Sequence, residues 1–160
     1  MVYYHARRFD EALAVHRKLT VTDPRFAYGR AVYSWTLRCA GLYEEAVVQA
    51  EKSVEFGGDG QIYVSGLGAA YASAGRTDEA REIISQLEER SQTGYVSPYL
   101  LAVIYCCLGE KEQALRLMQE AIAIRDAWIS WFVVDPQLDL LRTDPRFSEM
   151  TRQTNNPAAR

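Results

Sequence analysis

Between Gln61 and Gln92 the apolar residues fall three and four apart. Val64, Leu67, Gly68, Tyr71 and Ala74 make one stripe, and beyond Gly75 a second stripe runs through Ala80, Ile83, Ile84 and Leu87. That spacing follows the ~3.6-residue turn of an α-helix and not the alternation of a strand. The segment therefore predicts two helices joined by a tight turn. Gly75 suits the left-handed backbone that closes the first helix, and Thr77 or Asp78 can accept hydrogen bonds from the free N–H groups that open the second. The small side chain of Ala80 lets the two helices approach closely.

The same pattern recurs on both sides. A later copy carries Leu101, Ala102, Tyr105, Gly109, Ala114, Met118 and Ala121; an earlier one carries Tyr33, Ser34, Leu37, Gly41, Ala46 and Ala50. Across the copies Ala12, Ala46, Ala80 and Ala114 stand at intervals of 34 residues, and Gly41, Gly75 and Gly109 keep that interval. A fixed period in this range describes one supersecondary unit stacked on copies of itself. Acidic pairs follow the period too, as Asp10-Glu11, Glu44-Glu45, Asp78-Glu79 and then Glu112-Gln113. Paired carboxylates can serve acid–base chemistry. Here each pair falls in the first turn of a second helix, where negative charge is favoured by the helix dipole. An active site would occur once, so the recurring pairs read as structural.

These residues resemble the tetratricopeptide repeat, whose pattern places a Leu-Gly pair, then Tyr, then Ala, then a bulky residue. Leu67-Gly68, Tyr71, Ala80 and Ile84 fit it best, and the resemblance covers residues 8–126. The tryptophan common early in that pattern is replaced by Arg30, Val64 and Pro98, and the proline that often ends a unit survives only as Pro24. The resemblance implies one all-α domain over 1–160, a right-handed superhelix of helical hairpins. Its parts are a half repeat (1–26), repeats at 27–60, 61–94 and 95–126, a helical cap (127–154) and a frayed tail (155–160).

Both ends leave the period. A second helix over residues 8–19 has only seven residues before it, too few for the first helix of its unit. An open edge there would expose Phe9, Leu13 and Val15, which points to self-association. At the other end Thr143-Asp144-Pro145-Arg146-Phe147 copies Thr22-Asp23-Pro24-Arg25-Phe26, but the offset of 121 is no multiple of 34. Asp followed by Pro starts a helix well. Short helices are expected at 128–134, 136–142 and 145–153. The stretch from Trp131 through Phe147 is similar to the ends of tetratricopeptide segments in large bacterial regulators, which couple such arrays to winged-helix, cyclase or kinase domains. That likeness implies an accessory or sensory segment of a larger bacterial enzyme or transcription regulator, as the alternative to a free-standing scaffold.

The resemblance also places a site. In tetratricopeptide arrays the first helix of each unit lines a concave groove for a protein or peptide partner. Carried over residue by residue, the groove holds Tyr28, Ala31, Trp35 and Arg38 in the first copy. Ile62, Ser65, Ala69 and Ala72 follow in the second, then Val96, Tyr99, Val103 and Cys106 in the third. The lining is small and apolar. Positions that carry lysine, asparagine and arginine in carboxylate-clamping members hold Ala31, Trp35, Gly66, Val96 and Leu100 here, which argues against a chaperone-tail clamp. Trp35, read as a partly exposed aromatic flanked by arginine, is the candidate binding hot spot, with packing inside the array as the alternative. The small run Gly66, Gly68, Ala69, Ala70, Ala72, Ser73 and Ala74 permits close approach. What approaches is first of all a neighbouring helix; a peptide, or the chain's own Trp128, Trp131 and Phe132, are the other possibilities.

Composition narrows the classes. An apolar content of 48% over 160 residues supplies a core, and a net charge of −3 gives no field that draws nucleic acid or an acidic membrane. RNA recognition by a helical repeat is the minor alternative. No stretch has the ~18 apolar residues of a membrane span, and Met1-Val2-Tyr3-Tyr4-His5 is no secretion signal, so a cytoplasmic protein is expected. Cys39, Cys106 and Cys107 have no ligand-like spacing and read as reduced, partly buried thiols. His5 and His16 form no metal pattern, and His16 aligns with Ala50, Ile84 and Met118, as a packed side chain would. Gly57-Gly58-Asp59-Gly60 lacks the lysine of a phosphate loop. No enzyme activity, cofactor or metal is expected.

Overall fold

The computed structural model describes residues 1–154. The tail expected to fray, 155–160, lies outside the described residues. Nine α-helices follow one another among the described residues: α1 Val2–His5, α2 Phe9–Thr22, α3 Ala27–Cys39, α4 Tyr43–Gly57, α5 Gln61–Ser73, α6 Thr77–Ser91, α7 Pro98–Cys107, α8 Lys111–Ala123 and α9 Pro145–Gln153. Two 3-10 segments, Ala127–Trp131 and Pro136–Leu141, stand between α8 and α9.

Consecutive helices pack as hairpins, α3 on α4, α5 on α6 and α7 on α8. The first helices also pack on each other, α3 on α5 and α5 on α7, so that they share one inner face. The periodic residues explain the contacts. Ala46, Ala80 and Ala114 are fully buried and Ala12 nearly so, each where two helices meet at small separation. Gly68 serves the same end, since a β-carbon there would stand 2.7 Å from Ile83 Cγ2 and 3.0 Å from Ile104 Cδ1. Burying Leu87, Ile104 and Met118 completely is worth about 1.5–3 kcal/mol each. The glycine–alanine run is thus spent mainly on helix packing.

The hairpin turns are identical in kind. Gly41, Gly75 and Gly109 lie at φ of +78°, +76° and +78°. The residue after each donates back into the helix, as Leu42 N to Leu37 O, Arg76 N to Tyr71 O and Glu110 N to Tyr105 O, all at 2.9 Å. This double closure satisfies the carbonyls that a helix end would leave free. It also changes one expectation. The residues that enter the second helices are Leu42, Arg76 and Glu110, and none offers a side-chain cap, so Thr77 and Asp78 do not fill that role. The acidic residues do lie in the first turns of α2, α4, α6 and α8.

At the amino end a single turn of helix, α1, stands where the half repeat had seemed to lack its first helix. It closes as the other hairpins do, with Arg7 N on Tyr4 O and Arg8 N on Tyr3 O. Arg7 occupies the position of the glycines, at φ +59°. Leu13, expected to be exposed, is buried against Tyr33, Leu37 and Ala46; Phe9 is half-buried, and Val15 is exposed.

The cap winds more tightly than expected, as 3-10 turns at 127–131 and 136–141 before α9. Its geometry comes from Asp126, Asp135 and Asp144, which stand nine residues apart. Each accepts a hydrogen bond from the backbone N–H two residues on, at 2.8 Å from Trp128, 3.0 Å from Gln137 and 2.9 Å from Arg146. Between them Phe132, Leu138, Leu141, Phe147 and Met150 enter the main core with α7 and α8.

Candidate functional site

Eleven of the twelve predicted groove residues lie in the first helices α3, α5 and α7, Val96 lies just ahead of α7, and the molecule covers most of them itself. Of the first copy, Ala31, Trp35 and Arg38 are buried and Tyr28 is half-buried. In the second, Ser65, Ala69 and Ala72 are buried and Ile62 is half-buried. In the third, Val96, Tyr99, Val103 and Cys106 are all buried among the residues of the main core.

Trp35 is the clearest correction. It is not partly exposed but only 5% accessible, because two rings close over it. Tyr28 meets it edge-on at 6.2 Å and Trp128 at 6.3 Å. On its other side Gly66 makes room, since a β-carbon there would lie 3.3 Å from the indole nitrogen. A large aromatic beside an arginine has the composition of a hot spot and equally that of a core.

Two segments do the covering. From the amino end, Tyr4 enters beside Ala31, Val32 and Trp35, leaving 1% of its surface accessible. His5 stacks on Trp131 at 4.8 Å, and Arg7 makes a forked ion pair with Asp139, one arm at 2.7 Å. From the carboxyl end, Trp128 and residues 135–137 lie across α3 and α7.

Asp135 joins the two. Its carboxylate accepts from the Tyr4 hydroxyl at 2.9 Å, the Tyr99 hydroxyl at 2.7 Å, the Gln137 N–H at 3.0 Å and the Gln137 side-chain amide at 3.1 Å. Four donors hold this buried charge without a direct cation, consistent with the requirement that buried charge be hydrogen-bonded. Burial first, and the neighbouring carboxylate second, push both tyrosines well above the usual phenol range, so each stays a donor. Gln137 carries the network onward, for its amide oxygen accepts from Arg38. The second arm of Arg38 donates to Cys107 Sγ at 3.0 Å, and its Nε has no partner. Asp135, Tyr4 and Gln137 were not among the residues singled out from sequence. The nine-residue spacing of the cap aspartates, two of them followed by proline, is the signal that marks Asp135.

Among the described residues a narrow gap of about 20 Å³ lies beside α1 and is lined by Trp35, Gly66, Leu100, Val103, Trp128 and Trp131 among others. A cleft of about 270 Å³ is more open and more polar, lined by Arg38, Cys39, Tyr43, Ser73, Cys107, Pro136 and Gln137. Cys39, Ser73 and Cys107 are one repeat position in three copies. Burial raises the Cys39 thiol to about 11 and the Cys106 thiol further still, so both are held as neutral SH groups.

His16 packs against Tyr33 at 5.4 Å and meets the Thr36 hydroxyl at 3.2 Å. Burial lowers its pKa to about 4, the behaviour of a packed neutral ring.

Residues 100–125 match the family model of the tetratricopeptide repeat. The third hairpin is a tetratricopeptide repeat. The match begins within α7 and runs past the end of α8, and the hairpins before it repeat the same glycine turns and alanine contacts. The described residues thus form an all-α stack of helical hairpins that are tetratricopeptide-like in fold. No curated protein and no solved structure matches the chain. Tetratricopeptide repeats in general mediate contacts between proteins, commonly as non-catalytic scaffolds. No helix among the described residues is long and apolar enough to cross a membrane.

Proposed function

We propose that the chain is a non-catalytic module that recognises a segment of another protein at its inner face. One observation carries the reading. That face already holds polypeptide, residues 1–7 and 128–137, through aromatic and small apolar walls with one polar anchor at Asp135. A surface that binds its own chain in this way has the chemistry to bind another. The open cleft of about 270 Å³ beside Arg38 offers a partner its first contact, and Arg38, backed by Gln137, supplies the only formal charge in its lining.

The open cleft gives the test. Ser73→Arg and Tyr43→Ala alter its wall, and Glu55→Arg alters the exposed side of α4. Partner capture lost with the first two and kept with the third supports the inner face. The reverse pattern moves the binding surface to the second helices. An accessory role for a larger bacterial enzyme or regulator would use the same face, and is distinguished by whether the captured protein carries a catalytic or DNA-binding domain.

A further inference from the structure

We propose that residues 1–7 are a displaceable strap, and that the socket they fill accepts a helical turn of a partner protein carrying Tyr-x-x-Arg. This rests on the inner face being the binding surface. The tyrosine would take the place of Tyr4 and the arginine that of Arg7 against Asp139.

The socket does not depend on the strap. Its walls, Ala31, Val32 and Trp35, belong to α3, and its base is Asp135 of the cap. Without Tyr4 the carboxylate keeps the hydroxyl of Tyr99 and both N–H groups of Gln137. The vacated socket therefore stays polar at its base and apolar at its sides. This selects a phenol. A phenylalanine ring would fit the walls and leave one carboxylate oxygen short of a donor.

The strap, in contrast, is held at few points. Tyr4 is the only buried residue of α1; Met1, Val2 and Tyr3 are exposed. The Arg7–Asp139 pair that ends it is forked but solvent-exposed on both partners, so water and salt compete for both groups. Between them the chain passes through Arg7 in the left-handed region, unfavourable for a residue with a β-carbon. The strap leaves a gap of only about 20 Å³ between Trp35, Trp128, Trp131, Leu100 and Val103, but it leaves the Trp131 ring 41% exposed. A longer partner segment that inserted a tyrosine into the same socket could also cover that ring, which four helical residues do not do.

The test uses the full chain. A fluorescein-labelled peptide of sequence VYYHARR is titrated, with anisotropy as readout, into wild type and into Tyr4→Ala. In the variant the tethered tyrosine no longer competes, so the peptide should bind at least about tenfold more tightly than to wild type. Peptide VYFHARR, with phenylalanine at the Tyr4 position, should bind the variant about tenfold more weakly than the tyrosine peptide. Equal affinity for wild type and variant, or equal affinity of the two peptides, overturns the proposal. Should Tyr4→Ala lose its helical circular dichroism, Tyr4→Phe carries the test, because the tethered ring then lacks the hydroxyl that Asp135 accepts from and competes less well with the tyrosine peptide; an unchanged affinity there overturns the proposal equally. Peptide binding absent while Ser73→Arg still abolishes partner capture rejects the strap alone. Absence of both effects rejects the inner-face reading with it.

Discussion

The hairpins from α3 to α8 and the two segments that cover their inner face are held together by different physics. In the hairpins the contacts are apolar and repeat every 34 residues, with Ala46, Ala80 and Ala114 at matching helix crossings. In the covering segments the decisive contacts occur once and are polar, converging on Asp135 from residues up to 131 positions away. Periodic packing is redundant, so a lost contact in one unit leaves the others intact. A single buried hub has no second copy. The regular part of the molecule therefore sets its shape, and the irregular part sets which portion of that shape a partner can reach.

The sharpest way to break this contrast is Asp135→Ala. It leaves two tyrosine hydroxyls and the Gln137 amide buried without an acceptor, and should cost about 3 kcal/mol or more, measured by urea unfolding. Gly68→Leu probes the periodic side. The larger side chain must displace Ile83 and Ile104, for an expected loss of about 1–3 kcal/mol. A result in which the glycine change cost far more than the aspartate change would reverse the ranking of hub and stack.

Acid acts on both regions through their histidines. Burial lowers the pKa of His16, in the body, to about 4, and that of His5, in the strap, in the same direction. The unfolded chain then binds protons that the folded one does not. Stability should therefore fall as pH drops below about 6.5, with the His16 contribution complete near pH 4. His5→Gln/His16→Gln should flatten the part of this slope above pH 5, measured by thermal melting. The smallest effect is expected at Arg125, which holds a left-handed φ of +53° at the seam between body and cap. Arg125→Gly should stabilise by about 0.5–1 kcal/mol, and Gly75→Ala, the converse in the body, should destabilise by about as much.

What was legible from sequence follows the same division. The three full hairpins, their left-handed glycines and the acidic first turns could be read because each is a local consequence recurring with a period. The Schellman-type closure was not anticipated in full. Its three-residue turns place Leu42, Arg76 and Glu110 at the helix entries and leave no room for the caps sought at Thr77 and Asp78. Eleven of the groove residues fall in first helices and Val96 just ahead of α7, and which segments cover them was not legible. Trp128 stands in the sequence only as one possible neighbour of the glycine–alanine run, and nothing near Tyr4 announces Asp135. The nine-residue run of cap aspartates was visible, yet only one of them lies inside the copied Thr-Asp-Pro-Arg-Phe motif that drew attention. Partners so far apart along the chain leave no periodic trace.

The placement of the indoles has an optical consequence. All three tryptophans of the chain stand around the covered face: Trp35 beneath it, Trp128 edge-on to Trp35, and Trp131 stacked on His5. None sits in α4, α6 or α8. Intrinsic emission is thus a local probe with no added label. A red shift without loss of helical ellipticity would record the inner face taking up water while the stack of hairpins stays folded, and the protein reports its own opening.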